Sequence, residues 1–186
     1  AVMAFGGNSY AFIEAGFHNF NKPVYFDENY LPAQFSGSVN AISARAGFSL
    51  GYKSIKTKAN IYWNSLPDNS PIRLPQFIIR ESVYGDFRLF KKALRLQVGV
   101  DATYLSSYYG DGYNPNIAQF YVQNSKEIGN YVFLDAWLSI KIKPVRIFVK
   151  ADHLNAGMFG RKYYLIPHYP QNDFALKFGL SWVFND

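Results

Sequence analysis

The strongest constraint on this chain is an alternation in which every second residue is large and apolar. Phe174, Leu176, Phe178, Leu180, Trp182 and Phe184 interleave with Ala175, Lys177, Gly179, Ser181 and Val183. Val132, Leu134, Ala136, Leu138, Ile140 and Ile142 alternate in the same way with Phe133, Asp135, Trp137, Ser139 and Lys141. So do Leu94, Leu96, Val98, Val100, Ala102 and Tyr104 with Arg95, Gln97, Gly99, Asp101 and Thr103. On a helix these sets would smear around the whole circumference; on a strand each gives one apolar and one mixed face. Further strands are expected at 8–19, 39–51, 55–65, 76–90 and 145–154, about eight in all. In 76–90 the alternation puts Glu81 on the apolar face, which predicts a bulge or a protein-covered patch there.

Connections between these strands alternate between tight and long. The tight ones are Tyr52–Ser54, Phe90–Lys92 and Lys143-Pro144; the long ones are Phe20–Ser38, Leu66–Pro75, Leu105–Asn130 and Asn155–Asn172. An up-and-down outer-membrane barrel has this arrangement, with short turns on the periplasmic side and long loops outside. It predicts an all-β, antiparallel transmembrane β-barrel whose C-terminus is periplasmic. A soluble lipocalin-like barrel shares the topology but turns its apolar face inward. Aromatic residues are 19% of the chain, yet mean hydropathy is only −0.13, as expected where alternate residues face lipid and lumen. No run approaches the roughly 18 apolar residues of a membrane helix. Ala1 to Gly7 lacks the basic start of a secretory signal, so a signal has been removed or the chain is an excerpt of a longer one. The absence of cysteine excludes disulfides, thiolate zinc sites and cysteine nucleophiles.

The net charge of +6 could suggest nucleic acid, but the basic residues are spread one or two per segment rather than clustered. Alternation instead sends Arg45, Lys56, Lys58, Arg80, Arg88, Arg95, Lys141, Arg146, Lys150 and Lys177 to the lumen, with Glu14, Asp86, Asp101, Asp135 and Asp152 beside them. Long cations on a pore wall raise the local anion concentration. The competing reading is that acids and bases pair across strands and fill a narrow interior, as eight strands alone would permit.

Two histidines invite an enzyme reading: His153 with Asp152 and Asn155 nearby, and His168 between prolines. Adjacent strand residues point to opposite faces, so Asp152 does not simply orient His153, and no serine stands in a nucleophile context. Non-enzymatic function is expected, with no cofactor and no metal. Tyr108 to Pro115 has too few acids for a calcium loop and reads as an extracellular turn. Tyr10, Tyr52, Tyr62, Trp63, Tyr104, Tyr131, Trp182 and Phe184 lie near strand ends, where interfacial aromatic girdles sit.

Lys177, Gly179, Trp182 and Phe184 fill the polar, glycine and two aromatic places of a pattern that resembles the β-signal of outer-membrane proteins, although two residues follow Phe184. Phe120 to Asn124, Gly129 to Asp135, Asp152 to Gly157 and Tyr163 to Pro170 together resemble the end of the putative β-barrel porin family of Bacteroidota. That resemblance implies an outer-membrane, porin-like barrel and makes 1–186 the C-terminal portion of a longer barrel domain; passive passage of small hydrophilic solutes is expected, with the lumen bases leaning it toward anions. It brings no catalytic or ligand residues. The partners it implies are the outer-membrane lipid bilayer and the barrel assembly machine. The alternative is an accessory barrel bound to other outer-membrane subunits.

Overall fold

The computed structural model describes residues 2–5, 9–158, 160 and 163–184. In chain order its strands are β1 Val2–Phe5, β2 Ser9–Asn21, β3 Val24–Phe26, β4 Pro32–Gln34, β5 Ser38–Tyr52, β6 Ile55–Ser65, β7 Phe77–Leu89, β8 Leu94–Leu105, β9 Gly112–Asn114, β10 Gln119–Tyr121, β11 Tyr131–Ile142, β12 Val145–Asp152, β13 Tyr164–Ile166, β14 Tyr169–Pro170 and β15 Ala175–Trp182. Nine of them form one antiparallel sheet in the order β1-β2-β5-β6-β7-β8-β11-β12-β15. Each strand lies beside the next long strand in the chain, which is up-and-down topology. The eight expected strands are all present, and β1 adds a ninth that the alternation did not announce. Among the described residues β1 and β15 each pair on one side only, so the sheet is open rather than closed into a barrel. Among the described residues no helix is long and apolar enough to cross a membrane.

Strand pairing is continuous where a bulge was expected. β7 pairs with β6 from Ile55↔Gly85 to Trp63↔Phe77, and with β8 from Ile78↔Leu105 to Leu89↔Leu94, without a register shift. Glu81 therefore stays on the apolar face, opposite Ala59 and Ala102, and the bulge expectation is corrected. Its carboxylate accepts a hydrogen bond from Thr57 Oγ1 on β6. The two small alanines leave room for that bond on an otherwise hydrocarbon surface.

The long connections are not plain loops. Three hold small hairpins of their own: β3 with β4, β9 with β10, and β13 with β14. The buried cluster of the molecule collects at this long-loop end, in Val39, Ala41, Val122, Ile128, Tyr131 and Tyr163. The sheet itself is bare. Phe178 is 84% exposed, and Leu176, Leu180 and Phe17 are each more than 60% exposed. Total accessible area is 12612 Å², against about 9,100 Å² expected for a compact protein of this mass. The apolar side chains exposed on one face of the sheet form a surface which water would not tolerate as one contiguous patch.

Candidate functional site

In an antiparallel sheet, directly paired residues put their side chains on the same side. One register row joins Glu14, Arg45 and Tyr62; another joins Arg80 and Thr103; a third joins Ser82, Asp101 and Asp135; a fourth joins Trp137, Lys150 and Lys177. Followed across the sheet, the pairing puts all ten expected lumen bases on one face, together with Glu14, Asp86, Asp101, Asp135 and Asp152. Ten bases against five acids leave this face a surplus of five positive charges. Among the described residues the opposite face carries a single acidic or basic residue within the strands, Glu81.

Two ion-paired clusters stand on the polar face. Asp86 accepts from Arg95 Nε at 2.8 Å, from Arg95 Nη2 at 2.7 Å and from Lys56 Nζ at 2.7 Å. Asp135 and Asp152 hold Lys150 between them at 2.8 and 2.7 Å, and Asp152 also pairs with Lys177. Arg45 donates to Asn60 at 2.9 Å, lies 3.8 Å from Glu14 and stacks over the rings of Phe12 and Tyr62. Thus Arg45, Lys56, Arg95, Lys150 and Lys177 have acidic partners. Lys58, Arg80, Arg88, Lys141 and Arg146 have none among the described residues, Lys58 resting instead near the Tyr84 ring.

Glycines control how the rings lie on this wall. A Cβ at Gly99 would meet Tyr84 Cβ at 2.6 Å and Trp137 Cζ2 at 2.8 Å. The Trp137 ring lies over that bare backbone, 5.6 Å from the Tyr84 ring, and Trp137 Nε1 donates to Asp101 at 3.1 Å. Gly179 is covered in the same way by the Phe148 ring, at 2.5 Å from an added Cβ. Glycine in a strand interior often marks such a close approach. Of the four residues of the terminal pattern, Lys177 and Gly179 lie on the polar face and Trp182 on the apolar one. Phe184 lies beyond the end of β15, its ring stacked 4.9 Å from that of Trp182.

The aromatic residues divide differently from the expectation. Tyr52, Trp63, Tyr104 and Trp182 share the apolar face, but Tyr10, Tyr62 and Tyr131 belong to the polar one by register. Nearness to a strand end did not distinguish them; counting parity from a strand's charged residues would have.

At the long-loop end the connections bind each other. Arg73 donates to Asn124 at 2.8 Å, Asn124 donates to Glu28 at 2.7 Å, and Val122 N–H donates to Phe26 at 2.9 Å. The Tyr30 and Tyr121 rings meet edge-on at 4.7 Å. Ile72 and Leu74 help to enclose a cleft of about 520 Å³ with Glu14, Arg45 and Tyr62, so the connection between β6 and β7 folds over the polar face. Burial pushes the Asp111 carboxyl up, with Arg73 opposing it, and burial also pushes the Tyr108 and Tyr121 hydroxyls up.

His153 caps the end of β12. It is 4% exposed and takes a positive φ of 54°, where β12 ends. Its Nδ1 donates to the Asn172 carbonyl at 2.8 Å, which leaves Nε2 to accept the Tyr131 hydroxyl at 2.8 Å. Its backbone N–H donates to Asp135. Both ring nitrogens are thereby committed, and no serine shares the ring's hydrogen bonds. Asn155 completes the knot by donating to Val132 C=O at 2.6 Å and accepting from Leu134 N–H at 3.1 Å. Among the described residues no group of three or more His, Asp or Glu is placed to hold a metal ion.

A family model described as "Putative porin" matches residues 7–186. The chain belongs to that porin family. No curated protein and no solved structure matches it significantly. Membership gives this porin-family chain a porin-like role in general and points to a channel rather than an enzyme. The match spans the first hundred residues as well as the last seventy, where the sequence resemblance was strongest.

Proposed function

We propose that this porin-family chain forms wall of an outer-membrane β-barrel, with its apolar face to lipid, its polar face to an aqueous lumen and its short turns and C-terminus in the periplasm. The lumen passes small hydrophilic solutes and favours anions. One observation carries this reading: the strand register segregates ten bases and five acids onto one face and leaves the other almost wholly hydrocarbon. Membrane barrels need that division, because a cation facing lipid at mid-depth costs about 2–4 kcal/mol. The five bases without acidic partners give the lumen its anion preference. The edge of β15, paired on one side only, is where the barrel assembly machine would engage by strand addition, reading Lys177, Gly179, Trp182 and Phe184. Planar-bilayer recording across a salt gradient tests the function. A reversal potential of the sign set by anion flux is expected; a cation-selective or silent protein refutes it.

Glu81 favours a second reading, that of an accessory barrel within a larger outer-membrane complex. A carboxyl amid hydrocarbon, bonded only to Thr57 among the described residues, suits a partner-covered patch better than open lipid. Photo-crosslinking from position 81 in cells discriminates: protein adducts support the complex, lipid adducts alone the free barrel.

A further inference from the structure

One register row stands apart from the rest of the polar face. Arg88 lies directly opposite Arg95, Arg95 opposite Lys141, and Lys141 opposite Arg146, across the four adjacent strands β7, β8, β11 and β12. Like charges directly opposite each other destabilise a sheet, and here four occur in line. The nearest acid is Asp86, two residues before Arg88, and both its oxygens are taken by Arg95 and Lys56. Arg88, Lys141 and Arg146 have no acidic partner among the described residues and are all exposed. Higher on the same face Asp101, Asp135 and Asp152 stand among the bases, so the sequence places acids there and omits them here. The adjacent turns add Lys53, Lys91, Lys92 and Lys143, all exposed. One row further in, Gln97 and Ser139 offer neutral hydrogen-bonding groups on the same face.

We propose that the row Arg88, Arg95, Lys141 and Arg146 is a binding site for a multivalent oxyanion of the phosphate class, at the short-turn mouth of the lumen. Neighbouring Cβ atoms in such a row are about 5 Å apart, so the four cations span roughly 15 Å. A chloride ion meets one of them; a chain of linked phosphates meets the three that have no acidic partner, with Arg95 held by Asp86 in their midst. Guanidinium forks at two of the positions match phosphate oxygens in pairs, and the lysine between them supplies a point charge. This site rests on the channel reading above, because the same chemistry on a face turned to lipid would meet headgroups instead.

The test uses the full chain refolded in detergent and in nanodiscs, with inorganic pyrophosphate as probe against monophosphate and chloride. Calorimetric titration should show pyrophosphate binding more tightly than monophosphate, and weakening as salt is raised. The triple variant Arg88→Gln, Lys141→Gln, Arg146→Gln should bind at least about tenfold more weakly, and Arg88→Lys with Arg146→Lys should lose less. Should the triple variant fail to fold, the salt dependence of the wild type and the lysine double variant still decide. Absent, salt-independent or variant-insensitive pyrophosphate binding overturns the site. Binding in phosphatidylcholine nanodiscs that disappears when phosphatidylglycerol is added makes the row a headgroup seat and overturns the solute assignment. Binding without conductance defeats the channel reading and leaves the site standing; conductance without binding does the reverse.

Discussion

The two ends of this sheet solve the same problem, a face crowded with cations, in opposite ways. At the long-loop end Asp135 and Asp152 hold Lys150 and Lys177, and the loops above bury a cluster around Tyr131, Tyr163 and His153. At the short-turn end the strands stop at tight turns, none of the described loops covers them, and of a row of four bases only Arg95 is held by a carboxylate. The difference teaches that order and charge balance are concentrated at one end. The other end keeps its repulsion, and strand pairing alone holds it.

Asn155→Ala gives the sharpest test of this contrast. It removes two bonds to the β11 backbone from a site only 2% exposed, and should cost about 3 kcal/mol of stability, read from the urea midpoint in detergent. Hydrogen exchange should accelerate at the long-loop end and stay unchanged in the turns; uniform acceleration would mean that the ends are not independent. Asp86→Asn comes next, at about 2 kcal/mol, since the carboxylate is nearly buried but its basic partners are partly in water. It should also strengthen anion selectivity in a bilayer, and a variant with unaltered reversal potential would count against a charge-dominated mouth.

Glu81→Leu is expected to stabilise the lipid-reconstituted chain by about 1 kcal/mol, the penalty for an acid facing lipid being smaller than for a base. A loss of stability on reconstitution would show that the carboxyl is held by something other than lipid. The smallest effect concerns pH. Because burial raises the Asp111 carboxyl, its contribution is fully present below the usual carboxylate range and is lost as pH rises through the higher folded value. Exchange in residues 106–130, corrected for intrinsic rates, should therefore slow on acidification from neutral pH. Asp111→Asn should flatten that response.

The strands were legible because parity is a local signal: in β8, β11 and β15 each residue names its own face. The ten bases expected to share a face followed from the same parity, and the register brings all ten onto one face. What escaped was whatever depends on partners distant in the chain. Asn124 meets Glu28 across ninety-six positions, and no property of either segment foretells it. The hairpins β3–β4, β9–β10 and β13–β14 are two or three residues long on each side, too short for alternation to show. Tyr10, Tyr62 and Tyr131 lie near strand ends yet belong to the polar face, because parity and not position along the strand sets the face. Glu81 was conspicuous in the sequence, but not its bond to Thr57, which lies on another strand.

Gly99 has a consequence for the size of whatever passes this wall. With no side chain beneath it, the ring of Trp137 reclines over the backbone beside Tyr84 instead of standing away from it. On the channel reading, clearance at that level is set by the thickness of a flat ring, so trimming either aromatic would widen the passage little. A single methyl group at position 99 would lift the Trp137 ring and press against the Tyr84 Cβ. The smallest side chain in the row is thus the one that governs the bore, and Gly99→Ala should lower unitary conductance more than Tyr84→Ala raises it.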